Sequence, residues 1–380
     1  MTAALLRSPL PALVGAVALL ETLLLSALAP LLPVFEDDLG LSKAEVGILN
    51  AAYPCGTMVV ALPAAYLAAR IGLRATVGLG LVLLAGSTLA LGLLDAYPGL
   101  VAARFVQGAA GGGIAWPLAT AWLTGETPPE RRGRVIGGVV GISIFGATFG
   151  PVLGAIATAN RTATFVGLSV VVLGTLVLLA RLRSPAPRHA GEEGGLRDAI
   201  RNHDVLLGLW FVIIPGALFG MLTTLLPLQL DGLGVGAAGV AAVFVASALL
   251  GSAVTTMTGR VVDRRGRIAP IRIALILSPI AAVVLPHLGQ PIVVAVWAVV
   301  AVAAWDIFWP PAISLLAHGA DEARVEQTFA FAIQSMAWGP GAFLGSAGGG
   351  ALAEAAGDAA AWTTVAVVCV LSLPLVRRRA

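Results

Sequence analysis

Gly259-Arg260-Val261-Val262-Asp263-Arg264-Arg265-Gly266-Arg267 is a short, strongly basic run set between two long apolar stretches, 238–259 and 268–286. Each flank is long enough to cross a bilayer, which takes about 20 apolar residues. So short a connection makes the two stretches an antiparallel pair of membrane helices. Arg260, Arg264, Arg265 and Arg267 mark the cytoplasmic side, where Lys and Arg collect. Gly266 permits a tight turn. Gly259 is expected to let two helices approach closely. Asp263 can hold the arginines or accept from a neighbouring helix N-terminus.

The same pattern extends in both directions. Apolar stretches at 10–34, 43–69, 75–94, 99–123, 134–157 and 163–181 form a first series. A second runs at 205–229, 238–259, 268–286, 291–316, 325–352 and 360–376. The chain is 58% hydrophobic and only 11% charged, against about 25% charged in soluble domains. Its excess apolar surface must face lipid. With both termini cytoplasmic, all of the 23 Lys and Arg fall on the inner side except Lys43, Arg104 and Arg161. A wrong number of crossings would scramble that alternation. The first stretch imitates a signal peptide, with Ala27-Leu28-Ala29 as a cleavage site, but Pro30 opposes cleavage and the stretch is expected to be retained. One long polar segment, 183–204, divides the chain into an N-terminal bundle, 1–182, and a C-terminal bundle, 205–380.

The run at 259–267 resembles the GxxxDRxGR signature of the major facilitator superfamily. The equivalent turn of the first half keeps Arg70, Gly72 and Arg74 but has Ala69 in place of the acid, which moves the expected conformational latch to Asp263. Arg104-Phe105-Val106-Gln107-Gly108 in the fourth stretch is similar to the family's RxxQG motif. In the fifth stretch Gly137, Gly146, Gly150, Pro151 and Gly154 match the antiporter motif of its drug:proton exchangers, with Ala155 replacing a final glycine. Gly146, Gly150 and Gly154 share one helix face, and Pro151 provides a bend. The resemblance implies an all-α fold of 12 transmembrane helices in two pseudo-symmetric six-helix bundles.

Two acids lie deep in apolar stretches, Glu21 in the first and Asp306 in the tenth. An intramembrane ionisable side chain is costly and by default functional. In the family the first, fourth, seventh and tenth helices line the cavity, so Glu21, Arg104, Gln107 and Asp306 are expected to converge there, with Glu21, Asp306 and Arg104 in proton coupling. Trp116, Trp210, Trp305, Trp309 and Trp338 supply aromatic walls suited to lipophilic or cationic ligands. Asn50, Tyr53 and Gln334 are further cavity candidates.

The four histidines fall in loops or at helix ends, and Cys55 and Cys369 show no metal or disulfide spacing. No HExxH, nucleophile elbow or Walker loop is present. An enzyme, a metal or other cofactor, and a nucleic-acid partner are not expected. The expected activity is proton-coupled efflux of a small lipophilic or cationic compound by a monomer in the plasma membrane. Efflux or uptake of a sugar or other polar metabolite is the alternative, and a membrane sensor a more distant one.

Overall fold

The computed structural model describes residues 9–183, 201–322 and 337–377. Every regular element among them is helical. The order is α1 Leu10–Leu39, α2 Lys43–Ile71, α3 Leu73–Leu93, α4 from Tyr97 to Gly125, α5 Pro129–Ala159 and α6 Arg161–Ala180. Then come α7 His203–Gly232, α8 Ala237–Arg265, α9 Ile268–Val284, α10 from Pro291 to Glu322, α11 from 337 to Ala356 and α12 Asp358–Arg377. Twelve helices thus stand where twelve apolar stretches were expected. Ten of them are long and apolar enough, over the described residues, to cross a membrane. Large apolar side chains such as Ile292 and Leu371 are exposed, at 78% and 71%, while Arg104 and Gln107 are buried. That arrangement suits a lipid solvent.

Caps and breaks follow from local chemistry. Asn160 Oδ1 accepts from the Ala163 amide (2.8 Å) to start α6, and Asn202 Oδ1 accepts from Asp204 (2.8 Å) to start α7. In α1 the α-helix runs Leu10–Ser26, tightens to a 3₁₀ turn at Ala29–Leu31, and resumes at Leu32–Leu39. Pro30 and Pro33 lie there, and each lacks the amide that would continue the ladder. The turns after α2 and α8 share one device. Gly72 (φ 89°, ψ 152°) and Gly266 (φ 81°, ψ 175°) occupy a region open to glycine alone.

By internal contacts the chain divides into two units. One gathers α1 to Leu31, α2 from Ala52, and α3 to α6. Here glycines bring backbones together. A Cβ on Gly146, Gly150 or Gly154 of α5 would strike the main chain of α1 at Leu19, Leu23 or Ala27. Gly108 of α4 lies against the carbonyl of Tyr53, and Gly56 of α2 against that of Phe105.

The other unit gathers Leu32–Ala51 with α7 to α12. Gly220 of α7 and Gly341 and Gly345 of α11 repeat the glycine seam, meeting Ala342, Ile213 and Ala217. At one end of this unit, Lys43 pairs with Asp358 (2.6 Å) and the Ala44 amide donates to Glu354 (2.9 Å). Deeper in, the Asn50 amide donates to Thr223 (2.9 Å), Thr224 (3.0 Å) and Ser346 (3.2 Å). Gly259 does not serve the close approach expected of it. A Cβ there would meet nothing within 4 Å, and the same holds for Gly137.

Candidate functional site

In the first unit four of the residues singled out above come together. The Glu21 side chain leaves α1 among α2 and α4 and is buried. Tyr53 of α2 donates its hydroxyl to Glu21 Oε1 at 3.0 Å. The Arg104 guanidinium of α4 lies over the Tyr53 ring, 4.5 Å from its centroid. Arg104 Nη1 donates to Leu24 O (3.0 Å) and Gln107 Oε1 (2.5 Å), and Nη2 donates to Leu25 O (2.6 Å). Gln107 in turn donates to Thr88 of α3 at 3.1 Å. A guanidinium in an apolar setting needs several acceptors. The two carbonyls of α1 become available where that helix approaches its 3₁₀ turn.

Beside Glu21, α4 departs from α geometry. Its α-helix runs Tyr97–Gly108, widens into a π-helical stretch at Ala109–Ala115, and resumes at Trp116–Gly125. Gly111, Gly112 and Gly113 present no side chain there. A Cβ on Gly112 would lie 2.6 Å from Thr57 Oγ1 and 3.3 Å from Glu21 Oε1. Such π insertions recur at functional sites.

In the second unit α10 breaks at the same register. Its α-helix runs Pro291–Asp306 and resumes at Trp309. Trp116-Pro117 in α4 and Trp309-Pro310 in α10 correspond in sequence, so Gly113 and Asp306 hold equivalent positions, each three residues before the tryptophan. Each proline denies a hydrogen bond to the carbonyl four residues back, at Gly113 and Asp306 respectively. Asp306 therefore sits at the end of a helical segment. The Trp309 side chain hydrogen-bonds its carboxyl, and Gly251 of α8 faces Oδ2 closely enough that a Cβ would collide. Trp305 stacks on Trp362 of α12 (5.8 Å between centroids). Its indole Nε1 has no hydrogen-bond partner among the described residues.

Helices with ionisable groups held at mid-depth beside broken segments are the parts of a carrier. The family model for the Major Facilitator Superfamily matches residues 14–328. The chain belongs to the major facilitator superfamily. Among relatives, the MFS-type transporter YcaD of Escherichia coli is 26% identical over 272 residues, covering 69% of this chain and 70% of that one. A variant of the nucleoside transporter NupG superposes with a TM-score of 0.75 at 11% identity, covering 97% and 98%. The human organic anion transporter MFSD10 gives 0.67 at 17%, covering 97% and 99%. A bacterial homologue of the lysosomal transporter Spinster gives 0.73 at 13%, covering 97% and 95%. At such identities the solved structures share the fold with this chain. As a major facilitator protein it is a multi-pass membrane transporter, not an enzyme.

Within this superfamily member the remaining candidates are dispersed. Trp210 donates to Ser372 of α12 (2.9 Å), and Trp338 packs on Phe219 (6.2 Å). Trp116 is half-buried. Gln334 lies outside the described residues. Arg70 covers the Tyr66 ring (4.4 Å), and Arg74 donates to Ala180 O (3.2 Å). Asp263 and Arg264 are exposed. The acid that meets this turn is Asp204 of α7, 3.7 Å from Arg267. Sequence gave no signal for Asp204, Thr57, Thr88 or Gly251, because their partners are remote in the chain.

Proposed function

We propose that the protein exchanges protons for a small lipophilic or cationic compound by alternating access, with 1–182 and 205–380 as its six-helix bundles. On this reading it is a monomer in the plasma membrane with both termini cytoplasmic, and Asp263 and Arg267 belong to a conformational latch. Glu21, with Asp306, takes up a proton when substrate leaves and gives it up when substrate binds. Each event then favours one orientation of the carrier through differential affinity. Arg104 and Gln107 hold the N-terminal site in shape, Trp116 and Trp309 offer aromatic surface, and Trp305, buried against Trp362, backs that wall.

The observation that carries this reading is the state of Glu21. It is a buried carboxyl whose near neighbour is a tyrosine hydroxyl, with no ion pair to a base among the described residues. A carboxyl so placed can hold or release a proton without dismantling a salt bridge. The experiment uses proteoliposomes exposed to tetraphenylphosphonium or ethidium, with internal pH recorded. Wild-type protein should release protons on addition of the cation. Glu21→Gln and Asp306→Asn should not. Wild-type coupling in both variants defeats the proposal.

The Asn50 cluster with Thr223, Thr224 and Ser346 favours a second reading, transport of a polar metabolite, and NupG and MFSD10 carry polar cargo by their names. A thermal-shift series with sugars, nucleosides and lipophilic cations at two pH values separates the two. Stabilisation by a neutral polar compound with no pH dependence supports the second.

A further inference from the structure

We infer that Tyr53 is a positioning residue for the Glu21 carboxyl and links its protonation state to Arg104 on α4, an inference that rests on the proton-exchange reading above. Three helices meet at this one side chain. Its hydroxyl binds the acid of α1, and its ring underlies the guanidinium of α4. Its main chain belongs to the closest contact between α2 and α4. A Cβ on Gly108 would lie 2.6 Å from the Tyr53 carbonyl carbon and 2.8 Å from its Cα. A Cβ on Gly111 would lie 3.0 Å from the hydroxyl itself. Tyr53 has no exposure at all. It is held on all sides and has little room to move without displacing α4.

The chemistry of the two protonation states differs at the phenol. A carboxylate accepts a strong, charge-assisted bond from the hydroxyl, whereas a neutral carboxyl accepts a weaker one or becomes the donor. The side chain that makes this bond also carries the ring that lies under Arg104, so the acid and the guanidinium meet at one residue. Arg104 is fixed to Leu24, Leu25 and Gln107 through both terminal nitrogens, while its Nε has no hydrogen-bond partner among the described residues. Nε is thus an unused donor on the guanidinium that lies over the ring. The further groups described around Glu21 carry no charge. From α4 these are Gly111 and Gly112, from α2 Thr57, and α5 meets this part of α1 through Gly146 and Gly150. Tyr53 and Arg104 are the ionisable groups that act on the Glu21 carboxyl.

The test uses the full chain in lipid nanodiscs and needs no substrate. Infrared difference spectra recorded against pH report the carboxyl C=O band, and the part that Glu21→Gln abolishes belongs to Glu21. Tyr53→Phe keeps the ring over Arg104 and deletes the hydroxyl. Its Glu21 band should have a pH midpoint displaced by about one unit or more, the size expected for loss of a hydrogen bond to a charged group. A purely packing role would leave that midpoint in place, because the phenyl ring fills the same space. Tyr53→Leu, which removes ring and hydroxyl, should displace it as well. An unshifted midpoint in Tyr53→Phe overturns the inference and leaves proton exchange standing. A spectrum with no titrating Glu21 band overturns proton exchange and the tyrosine's role together.

Discussion

Gly251 of α8 stands directly against Asp306 of α10, so that a single added methyl would collide with the carboxyl oxygen Oδ2. The pairing places a residue with no side chain opposite the acid at the helix break. Gly251→Ala is expected to push the carboxyl off its present contact with Trp309 and to lower tetraphenylphosphonium-driven proton release by about tenfold, some 1.4 kcal/mol. Gly259→Ala, about two turns further along α8 with open space around it, should transport as wild type.

Arg104 satisfies two main-chain carbonyls of α1 and the Gln107 amide oxygen at once. A lysine cannot reach three acceptors in that fork. Arg104→Ala leaves Leu24 O and Leu25 O without this donor in a buried site, at about 1–3 kcal/mol each. Thermal unfolding in detergent should show a lowered midpoint for Arg104→Ala and a smaller loss for Arg104→Lys. A midpoint for Arg104→Ala within error of wild type would refute this account.

The glycine seams give a graded series. Gly150→Ala and Gly345→Ala each drive a methyl into main chain, at Leu23 O and Ala217 O respectively. Overpacking of this kind costs about 1–3 kcal/mol. Gly137→Ala meets nothing within 4 Å and should be neutral or slightly stabilising, since alanine favours helix. Differential scanning fluorimetry on the three variants checks the order.

Acid should loosen the contact between Glu354 and α2. The Ala44 amide, and after it the Ser42 side chain, holds the Glu354 carboxyl below its usual range. A lowered folded value means the contact is fully formed at neutral pH and is lost as pH falls through that value. Amide hydrogen exchange at Ala44, corrected for intrinsic rate, should show protection at neutral pH that persists through the ordinary carboxylate range and is lost in stronger acid. In Glu354→Gln the protection should no longer vary over that interval.

The helices were legible because an apolar run of bilayer length has few alternatives. Glycine spacing in α5 likewise disclosed a packing face, and the structure sets that face on α1. What the sequence hid is tertiary. Glu21 and Tyr53 are 32 residues apart, and nothing in either neighbourhood names the other. Tyr53 reads from the sequence as a cavity candidate, and only the fold shows that its hydroxyl donates to Glu21. Trp210 shows the converse. Its indole binds Ser372, because a buried N–H seeks whichever acceptor packing supplies. The break in α10 was readable in principle from Trp309-Pro310-Pro311. The π stretch of α4 has a weaker sign, three consecutive glycines ahead of Trp116-Pro117.

Where α5 meets α1, and α11 meets α7, the joints are built from main chain and missing side chains. Such joints make few demands on the residues that point elsewhere from the same helices. Side chains facing a cargo can therefore be exchanged by mutation without rebuilding the frame. A lineage can then alter such side chains in single steps while the seam glycines, which face main chain, keep the helices joined.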